Sequence, residues 1–207
     1  MNIEQLISKA RKNAINLFNL STDDALQDLL ARVKNCRNAH ETRRLLIGLG
    51  EIFIRNLQQK EYLSSFAVCA LLLRGGLFFL PGFLKAEHKM ELAFLSPARQ
   101  REINFVCNPP EMLAGNDVLI LDVVTDTGQS FIDAARFLKK NGAQTVAVGA
   151  LFGSPSSIKI LALDDNIDDI LILDDDNTNV NGFLLPDVNY DVGDLIMKSV
   201  IQIEHID

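Results

Sequence analysis

The chain has 207 residues, 48% of them hydrophobic, and a formal net charge of −7 at neutral pH. That length suffices for one large or two small domains with a sizeable core. The acidic balance argues against nucleic acid as a principal partner, because a phosphate backbone needs a basic face. In chain order, helices are predicted over residues 2–18, over 23–36 with Ser21-Thr22-Asp23 as cap, and over 41–58. In the last of these, Leu45, Leu46, Leu49, Ile52, Phe53 and Leu57 recur at helical spacing. The amino terminus carries Glu4, Lys9, Arg11 and Lys12 and lacks the apolar core of a signal peptide. No Pro/Gly/Ser linker follows, so residues 1–60 read as a helical lead-in to a single domain.

The pattern then changes. Phe66–Leu73 is a continuous apolar run, predicted to be a buried strand, and Gly75–Leu84 a loop entering a helix. Phe66 to Leu84 is not read as a membrane span, because Arg74 near its middle would cost about 2.5–3.5 kcal/mol in a bilayer. Gly75-Gly76 and Pro81-Gly82 also interrupt it. A strand at Met90–Leu95 precedes a long excursion from Phe94 to Asn116 that contains Arg99, Arg101 and Pro109-Pro110. Strand 118–122, helix 130–140 stopped by Asn141-Gly142, strand 145–151, a helix near 155–163 and strand 169–173 complete the alternation. Strands alternating with helices of this length predict an α/β fold: an open, mainly parallel sheet with helices on both faces. The core is expected over 61–175, with 176–207 folding over the sheet edge.

One stretch concentrates the chemistry. Val118 to Ser130 reads VLILDVVTDTGQS, a strand, a hydroxyl- and carboxylate-rich loop, and the start of a helix. In open α/β sheets, the carboxyl end of a strand is where ligands bind. The first turn of the following helix has unpaired N–H groups and a partial positive charge, so it attracts an anion. Gly128 permits close backbone approach or positive φ, and Thr127 and Ser130 add hydroxyls. Neither GxxxxGK[ST] nor GxGxxG is present. The plainer alternative is an ordinary capped helix start, with Asp126 or Thr127 as N-cap.

Arg74, directly after the buried strand and before two glycines, suits a phosphate-holding guanidinium with neighbouring amides, or simply the polar end of a strand. Asp122, at the end of its strand, could accept bonds from sugar hydroxyls or cap a loop. The acidic run through Asp164–Asp169 and Asp174–Asp176 fails the spacing of a calcium loop and reads as a solvated face plus a strand-end carboxylate. His40, His88 and His205 are isolated, and no GxSxG elbow exists. The three cysteines, Cys36, Cys69 and Cys107, show no CxxC spacing, which fits a reducing compartment with neither disulfide framework nor zinc site.

These residues resemble the uracil phosphoribosyltransferases. The phosphate loop of that family, D-P-M-x-A-T-G-G-S, is matched by Asp122-Val-Val-Thr-Asp-Thr-Gly-Gln-Ser130, and its I-L-R-A-G-L by Leu72-Leu73-Arg74-Gly75-Gly76-Leu77. Its G-Y-I-V-P-G-L-G-D-A-G-D is similar to Gly182 through Asp194. The resemblance implies a phosphoribosyltransferase-like fold with a C-terminal base-binding hood. It implies transfer of 5-phosphoribosyl from phosphoribosyl pyrophosphate (PRPP) to uracil, giving UMP and pyrophosphate in pyrimidine salvage. Magnesium bound through PRPP, a cytoplasmic location and a homodimer or higher homo-oligomer are implied as well.

Carried over by position, Asp122 would hold the ribose hydroxyls, and Asp126, Thr127, Gly128, Gln129 and Ser130 would cradle the 5′-phosphate. Arg74 and Gly75 would bind pyrophosphate, with Arg99 in a flap that excludes water. Gly182, Phe183, Leu184, Asp191, Gly193 and Asp194 would surround uracil. The chain departs from the family at Val123, Asp126 and Gln129, and in the uracil loop at Asp187, Asn189 and Tyr190. Those departures leave two alternatives in view, transfer to a different base or a catalytically weak nucleotide sensor.

Overall fold

The computed structural model describes residues 14–16, 24–36, 38–96, 103–107 and 109–175. Its strands are β1 (Ala14–Asn16), β2 (Val68–Leu72), β3 (Glu91–Ser96), β4 (Asn104–Phe105), β5 (Val118–Thr125), β6 (Val146–Gly153) and β7 (Asp169–Asp174). They form one sheet in the order β1-β7-β6-β5-β2-β3-β4. Every pairing is parallel except that of β3 with β4. The helices are α1 (Asp24–Asn35), α2 (Ala39–Gln59), α3 (Leu80–Lys85), α4 (Gln129–Lys140) and α5 (Pro155–Leu161), with short 3₁₀ turns at Tyr62–Ser65 and Gly75–Phe79.

Alternating side chains carry the sheet into two cores. Leu119, Leu121 and Val123 of β5 join Leu46, Leu49 and Phe53 of α2 on one face, together with α1 and the Phe78, Phe79 and Phe83 side chains. Val118 and Ile120 point the other way, into Phe131, Ala134, Ala135 and Leu138 of α4 and Leu161 of α5. The centre of the first core is Phe53, fully buried and edge-on to Phe79 at a ring-centroid distance of 5.3 Å. It lies over Gly149 of β6, where an added Cβ would come within 3.0 Å of the Phe53 ring. Truncating such a residue to alanine costs about 3–5 kcal/mol. Helices thus cover both faces, as the alternation predicts.

Three details differ from the sequence-based expectations. Residues 14–16, expected to be helical, form an edge strand with Ala14, Ile15 and Asn16 opposite Ile170, Leu171 and Ile172 of β7. A helical period in the sequence does not register the pull of an unpaired strand edge, whose row of N–H and C=O groups recruits extended backbone. Strand β5 runs on to Thr125, three residues past Asp122, because Val124 and Thr125 still pair with Phe152 and Gly153. The excursion after β3 is partly tied down. Strand β4 pairs with β3, and Ile103 and Leu113 are buried in the second core.

The apolar stretch from Phe66 to Leu84 is divided between β2, a 3₁₀ turn and α3. No helix among the described residues is long and apolar enough to cross a membrane. The acidic residues around β7 pin elements together. Asp168 Oδ2 lies 2.8 Å from Lys139 Nζ and accepts from Val146 N at 2.7 Å. Asp169 accepts from the Tyr62 hydroxyl at 2.9 Å, and buried Asp174 sits 2.7 Å from Lys34 Nζ of α1.

Candidate active site

The strand order defines where a ligand should sit. From β2 the chain moves to β3 on one side, whereas β5, β6 and β7 progress to the other. The direction reverses between β2 and β5, and in open α/β sheets the crevice beyond the carboxyl ends at such a switch is the binding site. The segment after β2 packs on the first face and α4 on the second, so the two connections part there. Arg74 and Gly75 lie at the carboxyl end of β2, and Asp122 through Ser130 at that of β5. The structure therefore brings the two motifs together from positions some fifty residues apart in sequence.

Their contact is close. Gly75 packs against the Asp122 carboxylate so tightly that any Cβ at position 75 would overlap Asp122 Oδ1. A Cβ on Gly76 would meet Leu121 O at 2.8 Å. Both glycines are required for the turn after β2 to lie against β5. Asp122 Oδ1 also accepts from Val123 N at 2.7 Å, which fixes the carboxylate at the strand edge. Arg74 is half-buried, its backbone held by the bond from Leu77 N to Arg74 O at 3.1 Å; the Leu73–Arg74 peptide is cis.

The start of α4 decides between the two readings of the loop. Its N-cap is Gly128, at φ 78° and ψ −11°, with no side-chain cap. Neither Asp126 nor Thr127 takes that position, because a standard cap needs extended backbone and this chain turns through the left-handed region instead. Thr127 Oγ1 accepts from Gln129 N only at 3.4 Å, the outer limit of a hydrogen bond. Two other helices, α2 and α5, carry side-chain caps. Asn38 accepts from Glu41 N at 3.0 Å at the start of α2, and Ser154 from Ser157 N at 3.0 Å at the start of α5.

Gln129, which replaces a family glycine, does not fill the mouth of the loop, since its Nε2 donates to Asp133 Oδ1 at 2.8 Å along α4. Asp126, Thr127, Gln129 and Ser130 are exposed and Gly128 is buried. The amides here remain available to an anion, which an uncapped helix end attracts.

Two serines escaped notice in the sequence. Ser154 Oγ donates to Asp126 O at 2.9 Å, and Ser157 Oγ, fully buried, reaches Thr125 O at 2.9 Å. A serine ahead of a proline signals a helix cap, and only the fold reveals that it also touches the loop. Thr125 is buried, and its own hydroxyl has no partner among the described residues, so its tie to α5 runs through its carbonyl. Arg99 and the uracil-loop residues Gly182, Phe183, Leu184, Asp191, Gly193 and Asp194 lie outside the described residues.

The fold is that of the AQ2163 protein from Aquifex aeolicus, which superposes with a TM-score of 0.65 at 21% identity over 88% of this chain and 97% of that one. A model of the uracil phosphoribosyltransferase family matches residues 52–196, and the chain belongs to that family. Similar relatives include the uracil phosphoribosyltransferases of Clostridium novyi, 32% identical over 129 residues, and Paenarthrobacter aurescens, 32% identical over 130. The matches cover 59% of this chain and 61% of each relative's length.

Proposed function

We propose that the protein transfers the 5-phosphoribosyl group from PRPP to uracil, releasing pyrophosphate and forming UMP. The observation that carries this reading is the uncapped start of α4 facing the switch-point crevice, with the Asp122–Gly75 contact at its side. Family membership supplies the substrate class. The 5′-phosphate would sit on the amides of residues 126–130, Asp122 would accept from the ribose hydroxyls, and Arg74 with the Gly75 amide would hold pyrophosphate.

Departure of pyrophosphate leaves an oxocarbenium-like ribosyl centre, so the protein's task is positioning and charge stabilisation. Magnesium held on PRPP would offset the charge of the leaving group. Such an ion keeps most of its ligands from water and substrate phosphate. The fit therefore asks for few protein donors, and among the described residues Asp122 and Asp126 are the carboxylates at the carboxyl end of β5. Residues 182–194 would form the base-binding hood over a single domain, and Arg99 would belong to a flap that excludes water. The free cysteines fit a cytoplasmic setting.

The departures of the uracil loop at Asp187, Asn189 and Tyr190 favour one variant of this reading, the same transfer to a base other than uracil. The test is pyrophosphate release from PRPP with magnesium across a panel of bases, repeated with Asp122→Asn. Uracil-dependent release that falls about 10- to 100-fold in the variant is expected, the range for losing a charge-assisted hydrogen bond. Release driven by another base would reassign the acceptor. Binding of PRPP without release by any base would replace the enzyme with a nucleotide sensor.

A further inference from the structure

The loop before α4 is held from outside by a second element. Thr125 O accepts from Ser154 N at 3.1 Å and from Ser157 Oγ at 2.9 Å, and Asp126 O accepts from Ser154 Oγ at 2.9 Å. Among the described residues, Ser154 and Ser157 are the only side chains that bond the backbone of residues 125–127 from outside the loop. Ser157 is fully buried and Ser154 is 8% exposed, so water does not compete freely for either hydroxyl. Ser157 Oγ also lies 2.9 Å from Ser154 O, and its single proton is shared between the two carbonyls.

The consequence follows from peptide geometry. Both peptides are trans, and in a trans peptide the N–H points opposite to the C=O. With Thr125 O turned toward β6 and α5, the Asp126 N–H points to the β2 side of β5, where Arg74 and Gly75 lie. With Asp126 O held by Ser154, the Thr127 N–H also turns away from α5. Among the described residues, neither amide has a hydrogen-bond acceptor.

We propose that Ser154 and Ser157 are positioning residues that aim the Asp126 and Thr127 amides at the 5′-phosphate. The assignment rests on the phosphoribosyltransferase reading of this site and adds to it a specific device for orienting the cradle. Preorganised donors of this kind act because they need not reorient when the anion arrives. The two hydroxyls touch no substrate themselves, and their effect is confined to the phosphate end of the crevice. The pyrophosphate end is built by a different segment, the turn after β2.

The test compares two ligands on the full chain by titration calorimetry in magnesium, ribose 5-phosphate for the cradle and pyrophosphate for the Arg74 side. Ser157→Ala leaves the cap of α5 in place, because that cap is the Ser154 hydroxyl. It should weaken ribose 5-phosphate about tenfold, the scale of one lost hydrogen bond, and leave pyrophosphate within about twofold. Ser157→Cys keeps the side-chain shape at a somewhat larger volume with a poor donor and should shift the same ligand in the same direction. Ser154→Thr keeps both the hydroxyl and the cap and should retain wild-type affinity for both ligands.

Unchanged ribose 5-phosphate binding in both Ser157 variants overturns the proposal, as does an equal loss for both ligands, which marks general structural damage. Wild-type protein that binds neither ligand fails before any variant is made, and that result overturns the phosphoribosyltransferase reading itself.

Discussion

Helices α4 and α5 begin on adjacent strands of the same sheet edge and treat their first turns in opposite ways. Ser154 closes α5 with its own side chain, from extended backbone at φ −76° and ψ 146°. Glycine opens α4 at φ 78°, with only the long contact from Gln129 N to Thr127 Oγ1 over its amides. A closed end contributes about 1 kcal/mol of stability and leaves nothing for a ligand, whereas an open end forgoes that contribution and keeps its donors free. The chain places the open end at the switch between β2 and β5 and uses the closed one to brace it. The difference teaches that a missing cap carries functional meaning when its neighbours are capped and when other elements converge on it.

This contrast can be broken at its functional side first. Arg74→Ala, across the crevice from the open end, should lower kcat for pyrophosphate release by roughly 10²- to 10³-fold, the scale of removing one charge-stabilising group. A thermal melt on the same variant should move far less than the rate. A smaller effect is expected from Gly128→Ala, which forces a Cβ into the left-handed region at about 1–2 kcal/mol and places it 3.2 Å from Leu161. That variant should lose stability and raise KM for PRPP together, as read by denaturant titration and steady-state kinetics.

At a closed end the two readouts should part. Asn38→Ala removes the cap of α2 and should cost about 1 kcal/mol in denaturant titration with kcat and KM unchanged. An equal loss of activity there would erase the distinction between the two kinds of helix start.

The smallest effect on function is expected at the opposite edge of the sheet, where Tyr62 donates to Asp169. Burial, then this hydrogen bond, then the Asp169 charge push the Tyr62 hydroxyl above its ordinary value. The folded protein therefore holds that proton more tightly than the unfolded chain does. The associated stability is complete below about pH 10, the unfolded tyrosine value, and is lost as pH rises toward the folded one. Urea midpoints between pH 8 and 11 should decline at the alkaline end in wild-type protein and decline less in Tyr62→Phe.

The alternation of strands and helices was readable because the central strands are buried on both faces and so form unbroken apolar runs such as Val68–Leu72 and Val118–Leu121. Helices α1, α2 and α4 were equally clear from their spacing. The two motifs of the site were visible as strand-end polar residues, Arg74 and Asp122. Their meeting was not, since nothing in either stretch states that β2 and β5 are neighbours or that Gly75 lies on the Asp122 carboxylate. The choice between an anion loop and an ordinary cap stayed open in the sequence, because Asp126 and Thr127 have the right chemistry for an N-cap but not the backbone angle, which Gly128 sets. Ser154 and Ser157 were invisible for a related reason, since a side chain that serves another element leaves no periodic trace in its own.

Strand β1 has a practical bearing on how the protein can be cut. Removing the first twenty-odd residues as a dispensable helical extension would strip the outer strand from β7 and leave Ile170, Leu171 and Ile172 with bare backbone along one side. An uncovered hydrophobic strand of that kind is a template for pairing between chains. Shortened versions designed for solubility or crystallisation should therefore be the ones that stick together, and a boundary that spares Ala14–Asn16 should keep the sheet to itself.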